Sequence, residues 1–215
     1  MNRFTTFGVA TAIIGVMAIP TAAFANDAHV HIGHVATGWM DTPDNAGLLT
    51  TAESEAGVAL QHASLALSKP GNLDSIPLHT RHVMHAINPE SQAGGPGGGY
   101  GLAKAASGAN THIGLAAGTG DASDAVKLHA AHVGASTKNV VSWSGEAMRL
   151  AEAVLAADDA TAAAESAAAM RDLLEAIVNG TDANGDGRIS WREGEGGLTQ
   201  ARVHLGLMMK AEGLD

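Results

Sequence analysis

The chain has 215 residues, a formal net charge of −10, eleven histidines and no cysteine. Without cysteine it has no disulfide, no thiolate metal site and no covalently attached c-type haem, while its acidity disfavours nucleic acid and anionic lipid and attracts cations. Aromatic residues make up only 3% of it beside 27 glycines and abundant alanine, a composition of closely packed small-residue helices rather than of a β-sandwich.

Residues 1–25 begin with Asn2-Arg3, continue apolar through Ile13-Ile14 and Val16-Met17, and end in Ala23-Phe24-Ala25. This reads as a secretory signal with an A-x-A-type cleavage site, since the apolar stretch, interrupted by Pro20, is too short for a membrane anchor. The expected destination is the periplasm or the exterior. The remainder suffices for one domain of ordinary size, and no later segment is apolar enough to insert in a bilayer.

After a short arm bearing His31 and His34, Thr42-Pro43 predicts the start of a first helix and Lys69-Pro70-Gly71 its end. Between them Leu48, Leu49, Ala52, Ala56, Ala59, Ala63 and Leu67 share one face, with Glu55 and His62 near its edge. A second helix is predicted over residues 75–88, stopped by Pro89, with Leu78, His82, His85 and Ala86 on one side. The glycine-rich run 93–101 is a connector, because neither a P-loop lysine nor a preceding strand accompanies it. A third helix over 102–117 carries His112. From a Ser123 cap, Ala125, His129, His132, Ser136, Val140, Trp143, Ala147, Leu150 and Val154 follow a 3.6-residue period, which turns His129 and His132 inward. Two more helices are expected over 161–179 and 198–212. The predicted architecture is all-α: a histidine-rich helical bundle over residues 26–158, and a helix-loop-helix over 159–215 packed on it.

The loop between the last two helices reads Asp182-Ala183-Asn184-Gly185-Asp186-Gly187-Arg188-Ile189-Ser190-Trp191-Arg192-Glu193. At every defining position it resembles the EF-hand calcium-binding family. The resemblance implies side-chain oxygens from Asp182, Asn184 and Asp186, the carbonyl of Arg188, Ser190 directly or through water, and a bidentate Glu193. Six oxygens suit Ca²⁺ better than Mg²⁺. No second loop is present to pair with, and glycines at 194, 196 and 197 interrupt the outgoing helix. The implied role is therefore a structural calcium that fixes the last two helices, not a sensor that opens a groove.

The pattern H-x-x-H-V occurs three times, as His31 to Val35, His79 to Val83 and His129 to Val133. Histidines three apart share a helix face with Cβ atoms about 5–6 Å apart, so two imidazoles can close on one ion. An isolated histidine such as His112 or His204 is ordinarily a hydrogen-bonded core residue. Burying many imidazoles unpaired, however, costs about 1–3 kcal/mol for each orphaned nitrogen. Pairing His82 and His85 with His129 and His132 would supply four ligands, with His31, His34, His62, His79, His112 or Glu55 completing further sites. Nitrogen-rich ligation without thiolate suits copper, zinc or nickel, and the expected partners are metal ions. Two rivals stay open: a b-type haem held non-covalently between two histidines, and a calcium-dependent interaction protein whose histidines are structural. No H-E-x-x-H, G-x-S-x-G or cysteine nucleophile points to catalysis.

Overall fold

The computed structural model describes Met1, residues 26–69, 71, 72 and 74–215, so the expected signal segment lies outside the described residues. Among these residues there are seven α-helices and no strand: α1 (Asp27–Ala36), α2 (Leu48–Leu67), α3 (Ser75–Ile87), α4 (Leu102–Gly118), α5 (Asp124–Ala156), α6 (Ala160–Asn179) and α7 (Leu198–Glu212). The protein is an all-α bundle. None of the described helices is long and apolar enough to cross a membrane.

Local sequence accounts for most of the boundaries. Ser123 accepts a hydrogen bond from the Val126 amide, and Asp159 accepts from Thr161 and Ala162, so α5 and α6 each begin at a side-chain cap. The arm expected before residue 37 is itself helical, because Asn26 caps the His29 amide, Asp27 stands in the first turn, and Ala28, Ile32 and Val35 bury one face. The helix expected from Thr42-Pro43 begins later. Pro43–Asn45 forms a single 3₁₀ turn, Asp44 and Asn45 take positive φ, and α2 starts only after Gly47.

Gly47, Gly101 and Gly197 precede α2, α4 and α7 without any side-chain cap. Gly197 shows why the position is glycine: a Cβ there would lie 2.6 Å from the carbonyl oxygens of Ala176 and Ile177. The start of α7 is thus pressed onto the end of α6.

Beside a small cluster of Ile76, Val154, Ala163 and Ala167, the main apolar core runs from Ala28 to Met208, drawing on both the predicted bundle and the predicted helix-loop-helix. Its small side chains, among them Ala52, Ala56, Ala59, Ala105 and Ala109, are fully buried and favour the short end of the 8–10 Å interaxial range. The 33-residue α5 is the spine, packing against α4, α6 and α7, and three neighbouring helix pairs, α1 with α4, α2 with α3 and α5 with α7, frame the sites below.

Candidate metal centres

In each H-x-x-H-V segment the buried residues are those just after the histidines: Ile32 and Val35, Thr80 and Val83, Ala130 and Val133. One residue turns an α-helix by about 100°. Each histidine pair therefore stands beside the core stripe, half-buried at the rim of the bundle, rather than pointing into it as periodicity suggests for His129 and His132.

Each pair meets a single histidine from a second helix. Centre I joins His31 and His34 of α1 to His112 of α4, centre II joins His79 and His82 of α3 to His62 of α2, and centre III joins His129 and His132 of α5 to His204 of α7. In every case the single histidine is the hub. The Nδ1 of His112 lies 3.0 Å from that of His31 and 3.3 Å from that of His34; His62 Nδ1 lies 3.0 Å and 3.2 Å from those of His79 and His82; His204 Nδ1 lies 3.2 Å and 3.3 Å from those of His129 and His132.

Ring orientations repeat as closely as the distances do. The hub and the first histidine are tilted by 39°, 33° and 32° in the three centres, while the hub and the second are inclined at 83°, 84° and 68°. Within each pair the angle is 79°, 74° and 80°. The same constellation is built three times.

Hydrogen bonding alone does not account for it. A ring nitrogen has one in-plane site, either a proton or a lone pair, so the hub Nδ1 can satisfy only one of its two neighbours. A cation at the centre satisfies all three lone pairs. Metal–nitrogen bonds of about 2.0–2.1 Å place adjacent tetrahedral ligands about 3.3–3.4 Å apart, and the hub distances fall at or just below that. Axial ligation of a haem requires two nitrogens on opposite faces of the iron, roughly 4 Å apart by the same bond length. The hub Nδ1 contacts are shorter than that.

Electrostatics keeps these rings ready to ligate. His34, His62, His82, His112, His132 and His204 all titrate below the ordinary histidine value of 6.5, first because burial disfavours the charged ring and then because neighbouring imidazoles repel a second proton; His204 is lowered to about 4. Neutral imidazole is the ligating form.

Nine of the eleven histidines are used in these groups. His85 is not. Each three-residue step along a helix falls about 60° short of a turn, so His85 has rotated about 120° from His79, and its Nδ1 meets the carbonyl of Gln92 instead. The four-ligand set of His82, His85, His129 and His132 is accordingly not assembled. His29 pairs with Glu212, and the buried Glu55 carboxylate accepts the amides of Tyr100 and Gly101 rather than meeting His62. His204, which alone reads as a core residue, is instead the hub of centre III. Its overlooked signal is the shared frame Gly-Leu followed by H-x-x-L, at Gly47-Leu48 with His62 and Leu65, Gly101-Leu102 with His112 and Leu115, and Gly197-Leu198 with His204 and Leu207.

Two tryptophans brace the outer centres. Trp39 lies 4.7 Å from the ring centroids of both His34 and His112, and Trp191 stacks on His132 at 4.0 Å and 16°.

The acidic loop adjoins centre III through that stack. Asp182 accepts the amides of Gly185, Asp186 and Gly187, Asn184 accepts that of Asp186, and Asp186 accepts that of Arg188, with Gly187 at φ 81° making the turn. The carboxylate that reaches into the loop is Glu195, 3% exposed, which accepts from the Ser190 amide and hydroxyl and from the Asn184 side chain. Glu193 stays exposed beside Lys138 and Ser142. Because Gly194 turns the chain before any helix forms, the twelfth position is carried outward and the fourteenth inward. Asn139 of α5 ties down this exit, donating to the carbonyls of Arg192 and Gly196 and accepting from the Gly194 amide.

No protein family, curated protein or solved structure matches the chain. What distinguishes it is an all-α bundle whose rim carries three histidine triads, each with its ligand atoms within 4.8 Å of one another.

Proposed function

We propose that this is an exported protein that captures transition-metal ions, one at each of its three tris-histidine centres, and holds them in exchangeable form for buffering or delivery. The observation that carries this reading is the threefold repetition of one geometry, in which a hub imidazole faces two others that it cannot satisfy together. Half-burial at the rim leaves each centre within reach of solvent and of an acceptor, as exchange requires. Copper, zinc and nickel are the ions that suit such ligands.

Calcium at the acidic loop is the structural complement of this function. Its support is the prearranged nest of Asp182, Asn184 and Asp186 around the turn, together with a buried carboxylate directed into it. The ion would hold α6, α7 and the Trp191 stack in place.

The test is elemental analysis of the untagged chain after loading and desalting. The expected result is three ions per chain, falling to two in each of His112→Ala, His62→Ala and His204→Ala, and to none when all three are combined. Binding that survives the triple variant refutes the reading.

A further inference from the structure

The three centres share more than their histidines. On the helix that supplies the pair, the residue before the first histidine is an exposed aliphatic: Val30, Leu78 and Leu128. On the hub helix the residue three after the hub is an exposed leucine: Leu115, Leu65 and Leu207. These six side chains stand between 37% and 54% exposed.

Register brings the two members of each pair together. The helices are antiparallel at centre III, where Ser123 at the start of α5 donates to Glu212 at the end of α7, and Asn139 further along α5 meets Gly196 at the start of α7. Leu128 lies five residues on from Ser123 and Leu207 five residues back from Glu212, so they stand at the same level of the two helices, beside His129. At centre I the Asp27 amide donates to the Asp121 carboxylate just beyond α4, which sets α1 antiparallel to α4. At centre II the short connection makes α2 and α3 a hairpin. The same offsets from the histidines then place Val30 level with Leu115 and Leu78 level with Leu65. Along each helix these residues are three or four positions from a ligand, about 5–6 Å between Cβ atoms, and helical side chains lean toward the N-terminus, which tips each hub-side leucine over its histidine.

A single exposed leucine needs no explanation, but an aliphatic pair in one register at all three triads is part of how the centres are made. Resting on the metal-capture reading above, we propose that each centre is a three-coordinate site selective for monovalent copper, and that these aliphatic pairs are its specificity-determining residues. Among the described residues the three groups consist of imidazoles alone, with no carboxylate to offset charge. A zinc ion there keeps its full double charge and takes a water as fourth ligand. An apolar collar makes that hydrated fourth position costly, and the penalty grows with the square of the charge. A monovalent copper ion is content with three nitrogens and needs no water. The aliphatic pair thus selects by making a hydrated fourth ligand costly, while the half-buried centre stays open to exchange.

The experiment is an anaerobic competition on the full chain under reducing conditions, using a chromogenic Cu⁺ chelator against Zn²⁺. It compares the unsubstituted protein with one carrying V30N, L115N, L65N, L78N, L128N and L207N, all at exposed positions, with helicity checked by circular dichroism. The expected result is three Cu⁺ per chain that Zn²⁺ does not displace, and a Cu⁺-over-Zn²⁺ preference that falls on the order of tenfold or more in the substituted chain. Three ions bound with an unchanged preference overturns the collar's role and leaves metal capture standing. An unsubstituted chain that binds neither ion at its histidines overturns both.

Discussion

Replacing His112 by alanine removes the hub of centre I while leaving His31 and His34 on their own helix. In the metal-free protein the change is small: the ring is half-buried, burial and two neighbouring imidazoles already hold its pKa down, and its loss relieves that repulsion as it removes contacts. The melting temperature should stay within about 2 °C, as for a surface substitution of about 0.5 kcal/mol. With metal the outcome differs. An ion that binds only the folded chain stabilises it by about 2.7 kcal/mol per centre at a free concentration of a hundred times Kd. At about 2–4 °C per kcal/mol for a domain of this size, each equivalent centre raises the melting temperature by roughly 5–11 °C. The metal-induced rise should fall by about a third in His112→Ala, and the bound metal from three ions to two. Scanning fluorimetry with and without metal, beside elemental analysis, measures both quantities. Hydrogen exchange adds a local readout, because centre I is the one that fastens α1 to α4: amides of α1 should lose their metal-dependent protection in this variant and keep it in His204→Ala. A variant that still binds three ions, or whose metal-induced rise equals that of the parent, refutes the reasoning.

Three further outcomes are expected. His85→Ala should leave all three ions bound, since that ring hydrogen-bonds Gln92 and belongs to no triad; loss of an ion would reinstate the residue as a ligand. Six triad histidines titrate below 6.5 in the fold, with His204 at about 4, so on acidification the unfolded chain takes up protons first. Metal-free stability should be full above about pH 6.5 and drop steadily toward pH 4, and urea midpoints that stay flat across that interval would contradict the shifts. Terbium luminescence sensitised by Trp191 should report the acidic loop: Glu195→Gln weakens binding by about tenfold or more while Glu193→Gln changes it by no more than about twofold, and the reverse order would return the closing role to Glu193.

Much of the fold was legible because its signals are local. Ser123 and Asp159 cap their helices through their own side chains, and the apolar period along α5 and α6 predicts their course. The start of α2 is not legible because Thr42-Pro43 carries the residues of a helix start, while Asp44 and Asn45 take positive φ and Gly47 packs directly on the Ala36 backbone. Helix α1 is too short to announce itself, with only three buried positions to reveal a period. At the sites, each H-x-x-H pair was visible because both ligands belong to one helix. The hub was not, since which single histidine meets which pair depends on helix packing: His112 faces α1, 81 residues before it, and not the following pair on α5. The inward turn of Glu195 is hidden for a related reason. A loop that leaves through glycine instead of entering a helix shifts the inward-facing carboxylate by two positions.

The wiring of the hubs sets an order in which an emerging chain can complete its three histidine triads. Centre II lies within neighbouring helices and has all its ligands once residue 82 is out. Centre I must keep its first pair waiting until His112 appears, and centre III until His204, almost at the end of the chain. A polypeptide emerging from its N-terminus would thus pass through forms with one, two and then three complete histidine triads.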